Sequence, residues 1–120
     1  MMVVPNQLTS LLCQPESAMS MDLADWDLLI RQARCAGLLG SLCVFLEDRE
    51  AMDQIPVQVR RHFESEKSVA QSHERAVRWE VSQIHRALEG LAGPVVLLKG
   101  AAYILAELPP GRGRLFHDVD

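Results

Sequence analysis

Residues 93–120 read GPVVLLKGAAYILAELPPGRGRLFHDVD, and the fold turns on how Val95 to Leu98 is read. Val95-Val96-Leu97-Leu98 is a short, unbroken apolar run that opens on two β-branched residues, the pattern of a strand buried on both faces. Lys99-Gly100 breaks the run. Ala101 to Leu108 has compact helical character, and Pro109-Pro110-Gly111 ends that helix. A loop from Arg112 to His117 leads into Asp118-Val119-Asp120, a second extended segment. A lone strand leaves its backbone groups without partners, so Val95 to Leu98 calls for a sheet. That sheet would continue past residue 120, so the chain is expected to be a fragment.

Upstream the grammar is helical. Pro5-Asn6 precedes a short apolar stretch, Leu8 to Cys13, that Pro15 should close. Ser20 or Asp22 can cap a second helix, whose residues Leu23, Trp26, Ile30, Ala33 and Cys35 follow a helical period. Gly37 ends it, and a third helix from Leu38 to Leu46 follows after a tight turn, so the two should pack as a hairpin. The polar run EDREAMDQ reads as a linker or a frayed end. After Pro56 there is no glycine or proline as far as Glu89. Val59, Phe63, Ala70, Val77, Val81, Ile84, Leu88 and Leu91 form one stripe that weakens near Glu66 and His73, where a bend would fall. A helix of this length is roughly 50 Å long. The expected class is therefore α+β: a helical region over residues 1–92, then residues 93–120 as the start of a mixed sheet cut off after its second strand.

The 120 residues are 48% apolar and 23% charged, an ordinary globular composition. The net charge of −4 gives no sign of a generic nucleic-acid surface. Cys13, Cys35 and Cys43 are widely spaced and contain no Cys-x-x-Cys pair, as expected of buried thiols in a reducing cytosol rather than a zinc site. The start lacks the pattern of a signal peptide, and no apolar run approaches the roughly 20 residues that span a bilayer. A soluble cytoplasmic protein with no membrane partner is the expectation.

The chemistry concentrates in the last residues. In an extended segment, Asp118 and Asp120 point to one face with Cα atoms about 6.6 Å apart, while Val119 points to the other. Two carboxylates held this close repel unless a cation sits between them, and hard oxygen ligands suit Mg²⁺ or Mn²⁺. Lys99-Gly100 puts a positive charge beside a glycine that lets a ligand approach the backbone. It is not a P-loop, since the glycine-rich spacing is absent. Arg112 and Arg114 add guanidinium groups able to grip phosphate oxygens.

Taken in order, strand, Lys-Gly turn, helix, arginine loop and Asp-x-Asp resemble the opening of the DNA polymerase β-like nucleotidyltransferase fold. LLKGAA followed by GRLFHDVD is similar to an uncharacterised bacterial nucleotidyltransferase family within it. The likeness is specific over residues 94–120 and general over the helices before them. It implies that Asp118 and Asp120 are catalytic carboxylates that bind Mg²⁺ or Mn²⁺. It also implies that Lys99 and Gly100 stand at the nucleotide-phosphate turn, and that Arg114 matches the arginine shortly before the carboxylates. The implied reaction moves a nucleoside monophosphate from a nucleoside triphosphate to an acceptor, a small molecule or a protein. The third carboxylate implied by the resemblance would come from a later strand, so the 120-residue chain alone is expected to be inactive. The alternatives are a helical protein-interaction module and an inactive antitoxin-like regulator.

Other residues read as structural. His62, His73 and His85 are too far apart along one helix to share a metal. Trp26 and Trp79 are expected in the core, Cys35 lacks a histidine partner, and Tyr103 is expected to pack.

Overall fold

The Asn6 side chain accepts a hydrogen bond from the Thr9 N–H at 3.0 Å and caps the first helix, α1 (Gln7–Cys13). The computed structural model describes residues 6–116 and 119–120. After α1 comes a 3-10 turn, Pro15–Ser20, and then α2 (Leu23–Cys35). Of the two candidate caps, Asp22 is the one used. It forms a reciprocal capping box, with Asp25 N–H to Asp22 Oδ1 at 2.8 Å and Asp22 N–H to Asp25 Oδ2 at 3.1 Å. Leu8 and Leu11 of α1, with Trp26, Leu29, Ile30 and Ala33 of α2, are buried in one core.

Gly37 ends α2 at φ +69°, where only glycine is free of strain. Leu38 N–H donates to Ala33 O and Gly37 N–H to Arg34 O, the two bonds of a Schellman motif. α3 (Leu39–Asp48) follows at once and packs back on α2, giving the expected hairpin. Glu47 and Asp48 are its last residues. The run EDREAMDQ is thus an ordered helix end, a second Schellman closure with Ala51 N–H on Leu46 O, and a 3-10 turn at Met52–Gln54.

α4 (Val57–Ala87) starts after Pro56 and runs 31 residues, unbroken through Glu66 and His73. At 1.5 Å per residue it is roughly 46 Å long. It passes through two separate cores. Near its start, Val59 and Phe63 join the α1–α3 core, where the Phe63 and Trp26 rings meet edge to face with centroids 6.5 Å apart. Further along, Val77 packs with Ala101 and Ile104, and with the half-buried Val81, Leu97, Leu105, Phe116 and Val119. Two cores strung on one long helix make the molecule elongated, 59 × 34 × 19 Å.

Three expectations are overturned, those for the fold class, for Trp79 and for the burial of Cys13 and Cys35. Among the described residues there are α-helices and 3-10 turns but no strand, so the structure is all-α rather than α+β. Val95, Val96 and Leu98 are exposed instead of buried on both faces. The reason is that a strand exists only through its neighbours. Among the described residues a single bond of ladder type, Leu98 N–H to Asp120 O at 2.9 Å, is present, and one bond is not a ladder. α5 (Lys99–Leu105) follows that segment, and a 3-10 turn, Pro109–Gly111, follows α5. Trp79 is the second correction: it is 66% exposed. It lies two residues past Val77, about 200° around the helix, and so on the opposite face.

The thiols also divide. Cys13 and Cys35 are exposed and Cys43 is buried. Burial, helped by the Glu47 charge, pushes the Cys43 thiol from its ordinary 9.0 to about 11. A folded value above the unfolded one contributes stability that is complete below about pH 9 and is lost as pH rises through 11. At pH 8 a disulfide reagent should label Cys13 and Cys35 in the native protein and reach Cys43 only on unfolding. Equal labelling rates at all three in the native protein would contradict the placement of Cys43.

Candidate functional site

The site is built where the two ends of the 93–120 stretch meet. Leu98 is extended, Lys99 turns into the left-handed region at φ +54°, and α5 begins. Gly100 and Ala101 are buried. A Cβ on Gly100 would lie 2.6 Å from Phe116 Cδ1, so glycine is required here for the ring to seat. Phe116 is fixed in turn by α4. Its ring meets the His73 ring edge to face at 4.8 Å, and its N–H donates to His73 Nε2 at 3.3 Å. The polar interruption of the α4 stripe at His73 is therefore the seat of Phe116.

With Phe116 held on α4 and Val119 packed in the same cluster, the terminal residue comes to lie beside the Lys99 turn. Leu98 N–H holds the Asp120 carbonyl, and Lys99 Nζ stands 3.0 Å from Asp120 Oδ2. Both side chains remain open to solvent, Lys99 at 75% and Asp120 at 41% exposure. The structure thus brings Lys99 and Asp120 together. Gly100 adjoins them in the chain, with its Cα face turned to Phe116. Asp118 and His117 lie outside the described residues.

Arg114 is elsewhere. It lines a pocket of about 310 Å³ together with Gly40, Cys43, Glu47, Lys67 and Arg112, and neither Lys99, Gly100 nor Asp120 lines that space. Arg112 makes a two-pronged pair with Asp48 of α3, Nη1 to Oδ2 at 2.9 Å and Nη2 to Oδ1 at 3.1 Å. That pair ties the arginine loop to α3. The tie is close, because Gly113, at φ +72°, meets the backbone of Gly40, where a Cβ on either residue would clash. Of the two loop arginines, Arg114 has no ionic partner among the described residues, while Arg112 is committed to Asp48. Nothing near Arg112 in sequence pointed to this; its partner lies two helices and two 3-10 turns away in the chain. The Lys99–Asp120 pair had a signal, opposite charges at the two ends of one motif, but sequence reading gave both residues to ligands.

Asp120 presents one accessible carboxylate, the kind of hard oxygen donor that suits a divalent ion, and its Oδ2 is paired with the Lys99 ammonium. Among the described residues no three His, Cys, Asp or Glu side chains come together as a ready-made metal cage. No helix among them is long and apolar enough to cross a membrane.

The model of a family described as uncharacterised nucleotidyltransferase matches residues 22–120. No curated protein and no solved structure matches the chain. The match begins at Asp22, the cap of α2, so its span covers the helical hairpin, α4 and the stretch from Lys99 to Asp120.

Proposed function

The chain belongs to the uncharacterised nucleotidyltransferase family, and from that premise we propose that it transfers a nucleoside monophosphate from a nucleoside triphosphate to an acceptor group. The observation that carries this reading is the approach of Lys99 Nζ to within 3.0 Å of Asp120 Oδ2. It supports a site in which a phosphate-binding cation and a metal-binding carboxylate work side by side. In this reading Asp118 and Asp120 hold Mg²⁺ or Mn²⁺, which when bound supplies positive charge to the phosphate oxygens and the attacking oxygen.

The chain's own residues bind and orient. Lys99 binds triphosphate oxygens through a flexible ammonium, a compact point charge suited to a moving phosphate. Gly100 keeps the turn free of a side chain, so the backbone beside Lys99 stays close to the Phe116 ring. Arg114 is available to a second part of the substrate, such as the acceptor or the leaving pyrophosphate. An acceptor oxygen forms a bond to the α-phosphorus, the bond from that phosphorus to the bridging oxygen breaks, pyrophosphate leaves, and the acceptor proton passes to solvent. Catalysis of this kind rests on positioning and electrostatics.

The test uses the protein expressed from its full reading frame and triphosphates labelled at the α-phosphate, with cell extract as the source of acceptor. The label should move to an acceptor in the presence of Mg²⁺ and should stay on the nucleotide when the ion is chelated. Failure of all four ribonucleoside triphosphates to donate label would overturn the reading.

A further inference from the structure

The Asp120 carboxylate assigned to a divalent ion is already paired with a lysine, and that pairing has a conformational cost. Lys99, Glu50 and Glu107 are the non-glycine residues with positive φ among the described residues, each at +54°. Glu50 and Glu107 are explained by helix ends. Each sits one residue past a helix cap, and the next N–H, of Ala51 or Leu108, reaches back to Leu46 O or Tyr103 O. Lys99 has no such reason: it stands at a helix start that has no side-chain capping bond. A left-handed backbone at a residue with a Cβ is unfavourable and persists where the surroundings impose it, often at functional sites. Here the imposing contacts are the Gly100–Phe116 packing on one side and the Leu98–Asp120 backbone bond on the other. Together they aim an exposed lysine at an exposed carboxylate.

We infer that Lys99 is an exchangeable counter-ion, which holds Asp120 while no divalent ion is bound and passes to the triphosphate when the carboxylate takes the ion. The inference rests on the proposed function and adds a coupling to it. Lys99 opposes metal binding in the absence of nucleotide and favours nucleotide binding in its presence. Each ligand therefore eases the entry of the other. Such a lysine must be mobile, and its 75% exposure meets that requirement. Lys99 is a positioning residue toward the metal and a binding residue toward the phosphates.

The test compares the full-frame protein with its Lys99→Gly, Lys99→Arg and Asp120→Asn variants. Glycine keeps the left-handed turn and removes the charge, so Lys99→Gly should fold with an unchanged or higher Tm. Mn²⁺ affinity without nucleotide, read by electron paramagnetic resonance, should rise roughly two- to fivefold in Lys99→Gly, the scale set by an exposed ion pair. Affinity for a non-hydrolysable triphosphate at saturating Mg²⁺ should fall roughly tenfold or more, the scale of a lost charge-assisted hydrogen bond. Lys99→Arg should stay near the parent in both. A merely structural lysine would not move the two affinities in opposite directions. If Mn²⁺ binding depends on Asp120 but does not tighten in Lys99→Gly, the counter-ion role is overturned and the proposed function stands. If Asp120→Asn leaves Mn²⁺ binding unaltered, the proposed function fails, and this inference fails with it.

Discussion

Asp120→Asn is expected to lower Mg²⁺-dependent nucleotide transfer by roughly 10²–10³-fold, the loss typical of removing one charge-stabilising group from a preorganised site. Asparagine keeps the size of the side chain and one carbonyl oxygen but discards the negative charge that a hard cation requires. The fold should not notice. The Lys99–Asp120 pair is solvent-exposed on both sides, and such pairs contribute about 0–1 kcal/mol. The Leu98 bond goes to the Asp120 backbone oxygen, which the substitution leaves in place. Near-parent Tm together with collapsed transfer is the predicted outcome, read by calorimetry and by movement of the α-phosphate label to the acceptor. Near-parent transfer in Asp120→Asn would remove the carboxylate from the chemistry.

Phe63→Ala should produce the largest loss of stability. Phe63 is fully buried where α4 crosses the α1–α3 core, and it is the edge-to-face partner of Trp26. Truncating a buried phenylalanine costs about 3–5 kcal/mol through lost transfer energy and the cavity left behind. Trp26 cannot recover that loss by a polar contact, since its Nε1 has no hydrogen-bond partner among the described residues and the ring is held by packing alone. For a chain of this size the penalty corresponds to a fall in Tm of roughly 10–20 °C. The second core, around Val77, Ala101 and Ile104, shares α4 with the first, so loosening one end of that helix should be felt at the other. A shift below a few degrees in a thermal melt would mean that Phe63 does not join α4 to the hairpin.

The helices were legible because their signals are local. Asp22 with Asp25, Gly37 and Pro56 each act within a few residues, and each does in the structure what its chemistry suggests. Val95 to Leu98 was misread because being a strand is a non-local property. The run has the right side chains, but among the described residues its backbone finds one partner at Asp120, and its valines face solvent. Trp79 was misread for a smaller reason, the assumption that a large aromatic must face inward when its register puts it opposite Val77. At the site, Lys99, Gly100 and Asp120 could be picked out by residue type and order. Their meeting could not, because it depends on Phe116 seating on His73 and Gly100, contacts made between α4, α5 and the chain's last residues. Arg112 was beyond reach altogether, as its role is fixed by Asp48 at the far end of α3.

The most direct measurement is nuclear magnetic resonance of the ¹⁵N-labelled protein during addition of small amounts of Mn²⁺, which broadens the amide signals nearest the ion. The account predicts that Leu98, Lys99, Gly100, Val119 and Asp120 fade first, and that Asp120→Asn preserves them. Early fading confined to acidic residues elsewhere, such as Glu47 and Asp48 at the end of α3, with Asp120 and its neighbours still sharp, would contradict it.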